Sequence, residues 1–316
     1  MPVTAYLLRR VLQSGVVVVL VAVVTFVLLQ LLPGGPARAI LGPRATPEQI
    51  ATFTRQNGYD KPVVVQFLRW AGGVLHGDLG YSYKLNQPVL DVIDEHLPKT
   101  IVLMALSTTV ALVLAVPIGI YQARRRNTVG DYAVTALSFA FYAMPSFFLG
   151  ELLILLFAIR LHWFSPVGPN GDTLGAVFGQ ASSLVLPVAT LALITVASFS
   201  RYVRSSVMEN LSQDYVRTAL AGGAGDGRVM LRHVLRNSLI PVVTLLGITL
   251  PQLFAGALIT EQVFNYPGMG FVFVQGAQVH DYPILLGIGL MVAVATVVGS
   301  LLADIGYAVL DPRVKY

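Results

Sequence analysis

Few residues of this chain could catalyse a reaction or bind a metal ion, and they are scattered along it. The 316 residues include no cysteine, and no two of the five histidines have metal-ligand spacing such as H-x-x-x-H. The sequence also has no G-x-x-x-x-G-K-[ST] phosphate loop, no H-E-x-x-H and no G-x-S-x-G. We therefore predict no catalytic residue, no metal site and no cofactor in this chain. If the protein moves a solute uphill, the energy comes from an ion gradient or from another subunit.

Three carboxylates lie within or beside long apolar segments, where ionisable groups are costly and commonly functional. Glu151 precedes the unbroken apolar run from Leu152 to Phe157, and we hypothesise that it faces a translocation pathway. Glu261 marks the outer end of another apolar segment and is the second pathway candidate. Asp304 lies near the inner end of the last segment, where we expect it to pair with an arginine or a helix terminus. An ion-coupled carrier would be expected to hold more such groups.

The composition indicates an integral membrane protein. The chain is 55% hydrophobic and 12% charged, whereas a soluble domain carries about 25% charged residues. The formal net charge is +5, but the basic residues stand beside apolar segments. This placement favours orientation in a lipid membrane and argues against a nucleic-acid partner.

Apolar segments of spanning length predict an all-α polytopic fold with six transmembrane helices. Pro145, inside the third segment, is expected to kink it. The predicted segments lie near residues 11–32, 100–121, 132–159, 184–203, 238–260 and 283–310.

The polar stretch from Ala37 to Lys99 predicts a small helical segment between the first two spans. Thr46-Pro47-Glu48-Gln49 has the form of a capping box. One short helix should follow it and end near Asn57-Gly58, and a second should run from Pro62 to His76. Both are too short to span, so we expect a cap that lies against the membrane.

The distribution of basic residues predicts the orientation. With six spans, both termini share a side with the central loop, and most arginines flanking the spans fall on that side. The positive-inside rule makes that side cytoplasmic, which leaves residues 37–99 outside.

The central loop, residues 204–237, is the strongest signal for a partner. Asp214 to Leu220 can form a short helix, Gly222 and Gly223 should break it, and helix should resume from Arg228 to Arg236. A short helix followed by a turn forms a protruding element that a soluble partner can bind. The small residues Ala219 and Ala221 are expected to let it sit in the partner's groove.

At this loop the chain resembles the ABC importer permeases, most closely their peptide and nickel branch. The loop itself resembles the EAA-type loop of those permeases in Asp214-Tyr215-Val216-Arg217-Thr218-Ala219, Gly223 and Arg232-His233-x-Leu235-Arg236-Asn237-x-Leu239-Ile240-Pro241. Further motifs of the branch follow in order: Leu31-Leu32-Pro33-Gly34-x-Pro36, Gly77-Asp78-Leu79-Gly80-x-Ser82, Leu97-Pro98-x-Thr100, Phe264-x-x-Pro267-Gly268-x-Gly270, Asp281-Tyr282-Pro283 and Leu310-Asp311-Pro312-Arg313. Their common order makes the resemblance specific over nearly the whole chain.

The resemblance implies a type I ABC importer permease fold in the bacterial inner membrane and import of short peptides. It implies a second related permease as heterodimer partner, two ATPase subunits that bind ATP and Mg, and an extracytoplasmic solute-binding protein. It divides the chain at 97/98 into a first helix with its outer segment and a five-helix core. It also assigns the ATPase-coupling residues: Asp214, Tyr215, Arg217, Thr218, Ala219, Gly223, Arg232 and His233.

Two departures from the pattern and several alternatives remain at this stage. Arg217 replaces the Glu of the motif's name, and the usual basic residue near the turn is absent from residues 221–225. The turn should therefore be more flexible than the corresponding turn of related permeases. Nickel or glutathione import is the alternative within the class, and an ion-coupled secondary carrier is the alternative outside it. A membrane enzyme would need a clustered site that the sequence lacks.

Overall fold

The computed structural model describes residues 3–30, 35–42, 44–171 and 173–310. The predicted end of the first helix at Pro33-Gly34 and the terminal Asp311-Pro312-Arg313 motif lie outside these residues. The Asp304 side chain also lies outside the described part, so its predicted pairing stays a prediction.

The described chain is mainly helical. In chain order its α-helices are α1 (Val3–Gln30), α2 (Gly35–Leu41), α3 (Pro47–Asn57), α4 (Val63–Leu75), α5 (Val89–Arg124), α6 (Val129–Ala143), α7 (Ser146–Leu153), α8 (Leu174–Gly179), α9 (Ala181–Leu211), α10 (Asp214–Ala221), α11 (Asp226–Val229), α12 (Leu235–Ser238), α13 (Ile240–Val263), α14 (Met269–Gln278) and α15 (Tyr282–Leu310). Segments Ile154–Arg160 and Met230–Val234 are π-helical. Strands β1 (Tyr81–Ser82) and β2 (Gln87–Pro88) pair antiparallel, with Tyr81 opposite Pro88.

Four of the described helices are long and apolar enough to cross a membrane. They are Arg9–Gln30 within α1, α5, α9 and Tyr282–Leu301 within α15. The third predicted segment forms a pair of helices bent by 109°, which makes a fifth span if the pair crosses as one unit. The bend falls at Met144 and Pro145, because proline disfavours helical geometry in the residue before it. The predicted kink is thus confirmed as a break.

Two helices extend beyond their predicted limits. The sequence predicts the second segment from Thr100, but α5 begins at Val89 and carries Pro98 in its interior. Its first turns persist because Val89, Val92 and Ile93 are buried in a cluster with residues of α14 and α15. Tertiary packing thus outweighs the hydrogen bond that proline removes. Likewise α9 runs from Ala181 to Leu211, past the predicted end at Val203, and α5 continues unbroken through the 97/98 division.

The two short helices between the first long helices form as predicted. Thr46 and Gln49 make the reciprocal hydrogen bonds of a capping box, and Gly58 ends α3 with a left-handed φ of 70°. Helix α4 then packs on the last turns of α1. The Phe26 ring lies 5.4 Å from Phe67 and 5.8 Å from Trp70, between ring centroids.

Helices α5 and α9 form the centre of the bundle, and small residues permit their close approach. Ala111 and Ala115 of α5 are fully buried. A Cβ on Gly119 would lie 2.6 Å from the Val203 Cβ and 2.8 Å from the Ser200 carbonyl oxygen. Small residues have this role where helices pack within a membrane.

We expect Gly119→Ala to destabilise the bundle by about 1–3 kcal/mol, the usual cost of overpacking a core. The added methyl group must displace α9 backbone as well as Val203. The midpoint of thermal unfolding in mild detergent measures the effect. Gly15→Ala is the matched control, because nothing lies within 4 Å of a Cβ placed there. Equal midpoints for the two variants would contradict the proposed close packing.

Candidate partner-docking surface

Helix α10 stands at one end of the bundle, which we call the α10 end, and its inner face holds it there. Val216 is buried, while Tyr215 and Ala219 are half-buried against the same apolar cluster. The Tyr215 hydroxyl donates a hydrogen bond to the Asn210 side-chain oxygen of α9 at 2.8 Å. The predicted short helix is confirmed, with its axis fixed by these inward contacts.

The turn after α10 is a Schellman motif built around Gly223. The Gly223 amide donates to the Leu220 carbonyl at 3.0 Å, and the Ala224 amide donates to the Ala219 carbonyl at 3.1 Å. Gly223 has a φ of 82°, and nothing lies within 4 Å of a Cβ placed on it. The position therefore favours glycine for its left-handed backbone and not for lack of space.

The chain that returns from this turn is also packed onto the bundle. Val229, Met230 and Val234 are buried in one cluster with Val216. That cluster continues into α5 and α9 through Ala123, Val203 and Val207. One close-packed apolar cluster therefore connects α10 to the adjoining ends of both central helices.

The outer face of α10 is polar. The Asp214 and Arg217 side chains are 95% and 76% exposed, and their charged atoms lie 3.6 Å apart. Such an exposed pair contributes little to stability, so both groups are available to a partner. The Thr218 hydroxyl donates to the Asp214 carbonyl at 3.0 Å.

One of the predicted docking residues faces another way than expected. The sequence predicts that Ala219 enters a partner's groove, but it faces the bundle because helical periodicity places it beside Tyr215 and Val216. Leu220, which no motif singles out, is 44% exposed at the end of α10. Arg232 is exposed and His233 half-buried on the π-helical segment Met230–Val234.

An ion pair between a buried carboxylate and a half-buried arginine joins α6 to α9. Asp131 is 1% exposed, and its Oδ2 accepts from the Arg204 guanidinium at 2.8 Å and from the Asn127 amide at 3.1 Å. The sequence predicts Arg204 only as one of the arginines that orient the chain. Its partner lies 73 positions away, so the sequence carries no local sign of the pair.

At the end of the bundle opposite α10, the Glu261 side chain of α13 caps the N-terminus of α14. The N-cap residue of α14 is Gly268, which has no side chain to cap the helix. The Glu261 carboxylate instead accepts from the Gly270 and Phe271 amides at 2.7 and 3.2 Å. It also accepts from the Thr100 hydroxyl at 2.6 Å. The carboxylate thus replaces the missing cap and stabilises the positive end of α14.

The Thr100 and Tyr266 hydroxyls make further hydrogen bonds here. We call the whole arrangement the Glu261 latch; it consists of Glu261, Thr100, Tyr266 and residues 268–271. The Thr100 hydroxyl accepts from the Met269 amide at 2.8 Å, and the Tyr266 hydroxyl donates to the Lys99 carbonyl at 2.7 Å. Burial and the nearby Glu261 carboxylate raise the pKa of Tyr266, which keeps its hydroxyl protonated as a donor. A Cβ on Gly268 would overlap the Glu261 carboxylate, and one on Gly270 would overlap Leu258.

A second contact at this end joins strand β1 to the residue that precedes α15. The Ser82 hydroxyl donates to Asp281 Oδ2 at 2.5 Å, and both residues are buried. The Gly80 amide donates to Asp78 Oδ1 at 2.8 Å, and the Gly80 carbonyl accepts from the Val89 amide at 3.0 Å. The motifs at 77–82 and 281–283, distant in sequence, are therefore one structural unit.

Two family models together match most of the chain. Residues 3–104 match the N-terminal model of binding-protein-dependent transport system membrane components. Residues 115–316 match the model "Binding-protein-dependent transport system inner membrane component". The chain belongs to this family. It is therefore a multi-pass membrane component of a transport system, and the resemblance to ABC importer permeases is confirmed.

Two similar proteins, one found by sequence and one by structure, are both components of transport systems. It is 37% identical over 316 residues to the oligopeptide transport system permease protein AppB of Bacillus subtilis (strain 168), covering 99% of each chain. A chain from inward-facing structures of the MetNI methionine ABC transporter aligns with a TM-score of 0.52 and 15% identity. That alignment covers 68% of this chain and 96% of the MetNI chain. At this identity the likeness establishes the fold alone.

The two pathway candidates of this transport-system component have different surroundings. Glu151 is exposed on α7, on the surface of the single chain. Glu261 is fully buried in the latch, where its carboxylate positions the start of α14. The pathway role stays a prediction for both residues.

Proposed function

We propose that this chain is a permease subunit of an ATP-driven importer of short peptides. The observation that carries the proposal is the full-length likeness to an oligopeptide permease, together with the outward-facing polar surface of α10. The subunit itself performs no chemistry in this proposal. ATP and Mg are bound by two ATPase subunits, a second related permease completes the pathway, and a solute-binding protein delivers the peptide.

The proposed topology has six spans. Five are those described above, and the sixth is α13. Its 24 residues measure about 36 Å at 1.5 Å per residue, which is enough for a hydrocarbon core of about 30 Å. Both termini and the α10 end lie in the cytoplasm, in agreement with the positive-inside rule. The cap formed by α3 and α4 then lies outside.

The proposed mechanism starts at α10. Its outer face, with Asp214, Arg217 and Thr218, enters a groove of one ATPase subunit. When the ATPases close on ATP, the push passes through Val216 and its buried neighbours to the adjoining ends of α5 and α9. The peptide pathway then switches between inward-facing and outward-facing states.

Helix α5 supports a mechanical connection between the two ends. Ala123 near its end contacts the cluster under α10, and Thr100 nearer its start belongs to the Glu261 latch. A continuous helix that holds both sites can convert a shift at the ATPase contact into movement of the α13–α14 loop. In this proposal the latch moves together with α5.

Purification of the tagged chain from native membranes in mild detergent tests this function. We expect a second permease and two ATPases to remain bound, and the reconstituted complex to hydrolyse ATP faster with binding protein and short peptide. Stimulation by nickel or glutathione in place of peptides would change the substrate assignment. A chain that purifies alone, with uptake that persists after ATP depletion while the ion gradient is held, would refute the importer.

A further inference from the structure

We propose that α4 is an interfacial helix that inserts one edge into the lipid surface at the end of the bundle opposite α10. The inserted residues are Val64, Leu68 and Leu75, which we call the α4 stripe. This inference concerns the attachment of the protein to the bilayer and does not depend on the transported solute.

The α4 stripe is apolar, exposed and aligned. The three side chains are 68%, 63% and 86% exposed. With 3.6 residues per turn, positions 64, 68 and 75 point within about 40° of one another. Such alignment of large apolar side chains toward solvent is typical of a helix that lies in a membrane interface.

The adjoining edge of α4 is already occupied, so the stripe is a separate surface. Phe67 and Trp70 pack on Phe26 of α1, and the Gln30 amide donates to the Gln66 side-chain oxygen at 2.9 Å. These contacts fix the rotation of α4 about its axis. The stripe is therefore presented in one direction by the fold.

Continuity with α1 identifies lipid as the occupant. Helix α4 docks on the last turns of a span whose side chains nearby are themselves exposed, with Val24 at 47% and Leu28 at 59%. At 13 residues α4 is about 20 Å long and cannot cross the bilayer. It therefore lies at the depth where the hydrocarbon region meets the headgroups.

The polar residues around α4 fit the same location. Lys61 just before the helix and Arg69 on its side away from the stripe are both exposed. Long basic side chains at a membrane surface reach phosphate groups while the helix body stays at the apolar boundary. Trp70 adds an aromatic ring of the kind enriched at membrane interfaces.

Site-directed spin labelling tests the proposal directly, because the chain contains no cysteine. Leu68→Cys and Leu75→Cys carry a nitroxide in the full-length protein, reconstituted with its co-purified subunits into phospholipid vesicles. Power saturation then compares collisions with oxygen, which concentrates in lipid, and with a water-soluble nickel chelate. Leu28→Cys on α1 is the lipid reference, and Glu48→Cys on α3 is the aqueous reference.

We expect the oxygen-to-nickel accessibility ratio at positions 68 and 75 to exceed that at position 48 several-fold and to approach that at position 28. A ratio equal to the aqueous reference would overturn the proposal, because the stripe would face water. Low accessibility to both reagents would also overturn it, since a protein partner would then cover the stripe. Each label sits on an exposed side chain, and size-exclusion elution at the wild-type volume confirms that the fold is kept.

Discussion

Glu261→Ala is expected to lower the midpoint of thermal unfolding by several degrees. The substitution leaves three donors without an acceptor: the buried Thr100 hydroxyl and Gly270 amide and the partly buried Phe271 amide. Each orphaned buried donor costs about 1–3 kcal/mol, so the total is about 3 kcal/mol or more. Loss of the carboxylate also removes the cap of α14 and the hydrogen bond between Thr100 of α5 and the end of α13. Unfolding of purified protein in mild detergent, followed by size-exclusion chromatography, measures the shift.

Two variants make this result specific to the latch. Glu261→Gln keeps one acceptor oxygen but brings an amide group toward backbone donors, so we expect an intermediate loss of stability. Glu209→Ala removes an exposed carboxylate at the end of α9 and should leave the midpoint near the wild-type value. A Glu261→Ala protein as stable as Glu209→Ala would show that the latch does not hold the fold.

Gly223→Asp is expected to leave the protein in the membrane and to reduce uptake tenfold or more. Gly223 has a φ of 82°, where a side chain costs up to about 1–2 kcal/mol, with aspartate at the low end of that range. Because 1.4 kcal/mol changes an association equilibrium about tenfold, a distorted turn beneath α10 is enough to impair docking. Peptide uptake in cells, normalised to the amount of the chain in the membrane fraction, is the measurement.

Matched glycine variants separate docking from folding. Gly227→Asp introduces the same charge at an exposed glycine that is not among those with positive φ, and nothing lies within 4 Å of a Cβ placed there. We expect it to retain most of the uptake. Gly223→Asn should be milder than Gly223→Asp, because both side chains tolerate the left-handed region but only aspartate adds a negative charge at the turn. Full uptake by Gly223→Asp would refute the coupling role of the turn.

Local signals in the sequence determined the class of the protein and many of its element boundaries. Long apolar segments indicated membrane helices because a span must be apolar for about 20 residues. The capping box at Thr46, the break at Pro145 and the end of α10 at Gly223 were all predictable. Each depends on hydrogen bonds or backbone angles within a few neighbouring residues.

Only the tertiary structure decided which distant residues meet. Thr100 and Glu261 are 161 positions apart, and Ser82 and Asp281 are 199 apart, so no local pattern could pair them. Burial of Val89, Val92 and Ile93 likewise kept α5 helical through Pro98, against the local preference of proline. The sequence by itself thus determined a membrane protein with a short polar helix, α10, between two long apolar segments. Long-range packing decided which face of α10 turns inward, and helical periodicity then places Ala219 on that face. It also decided that Glu261 caps α14, because the acceptor for those amides comes from another helix.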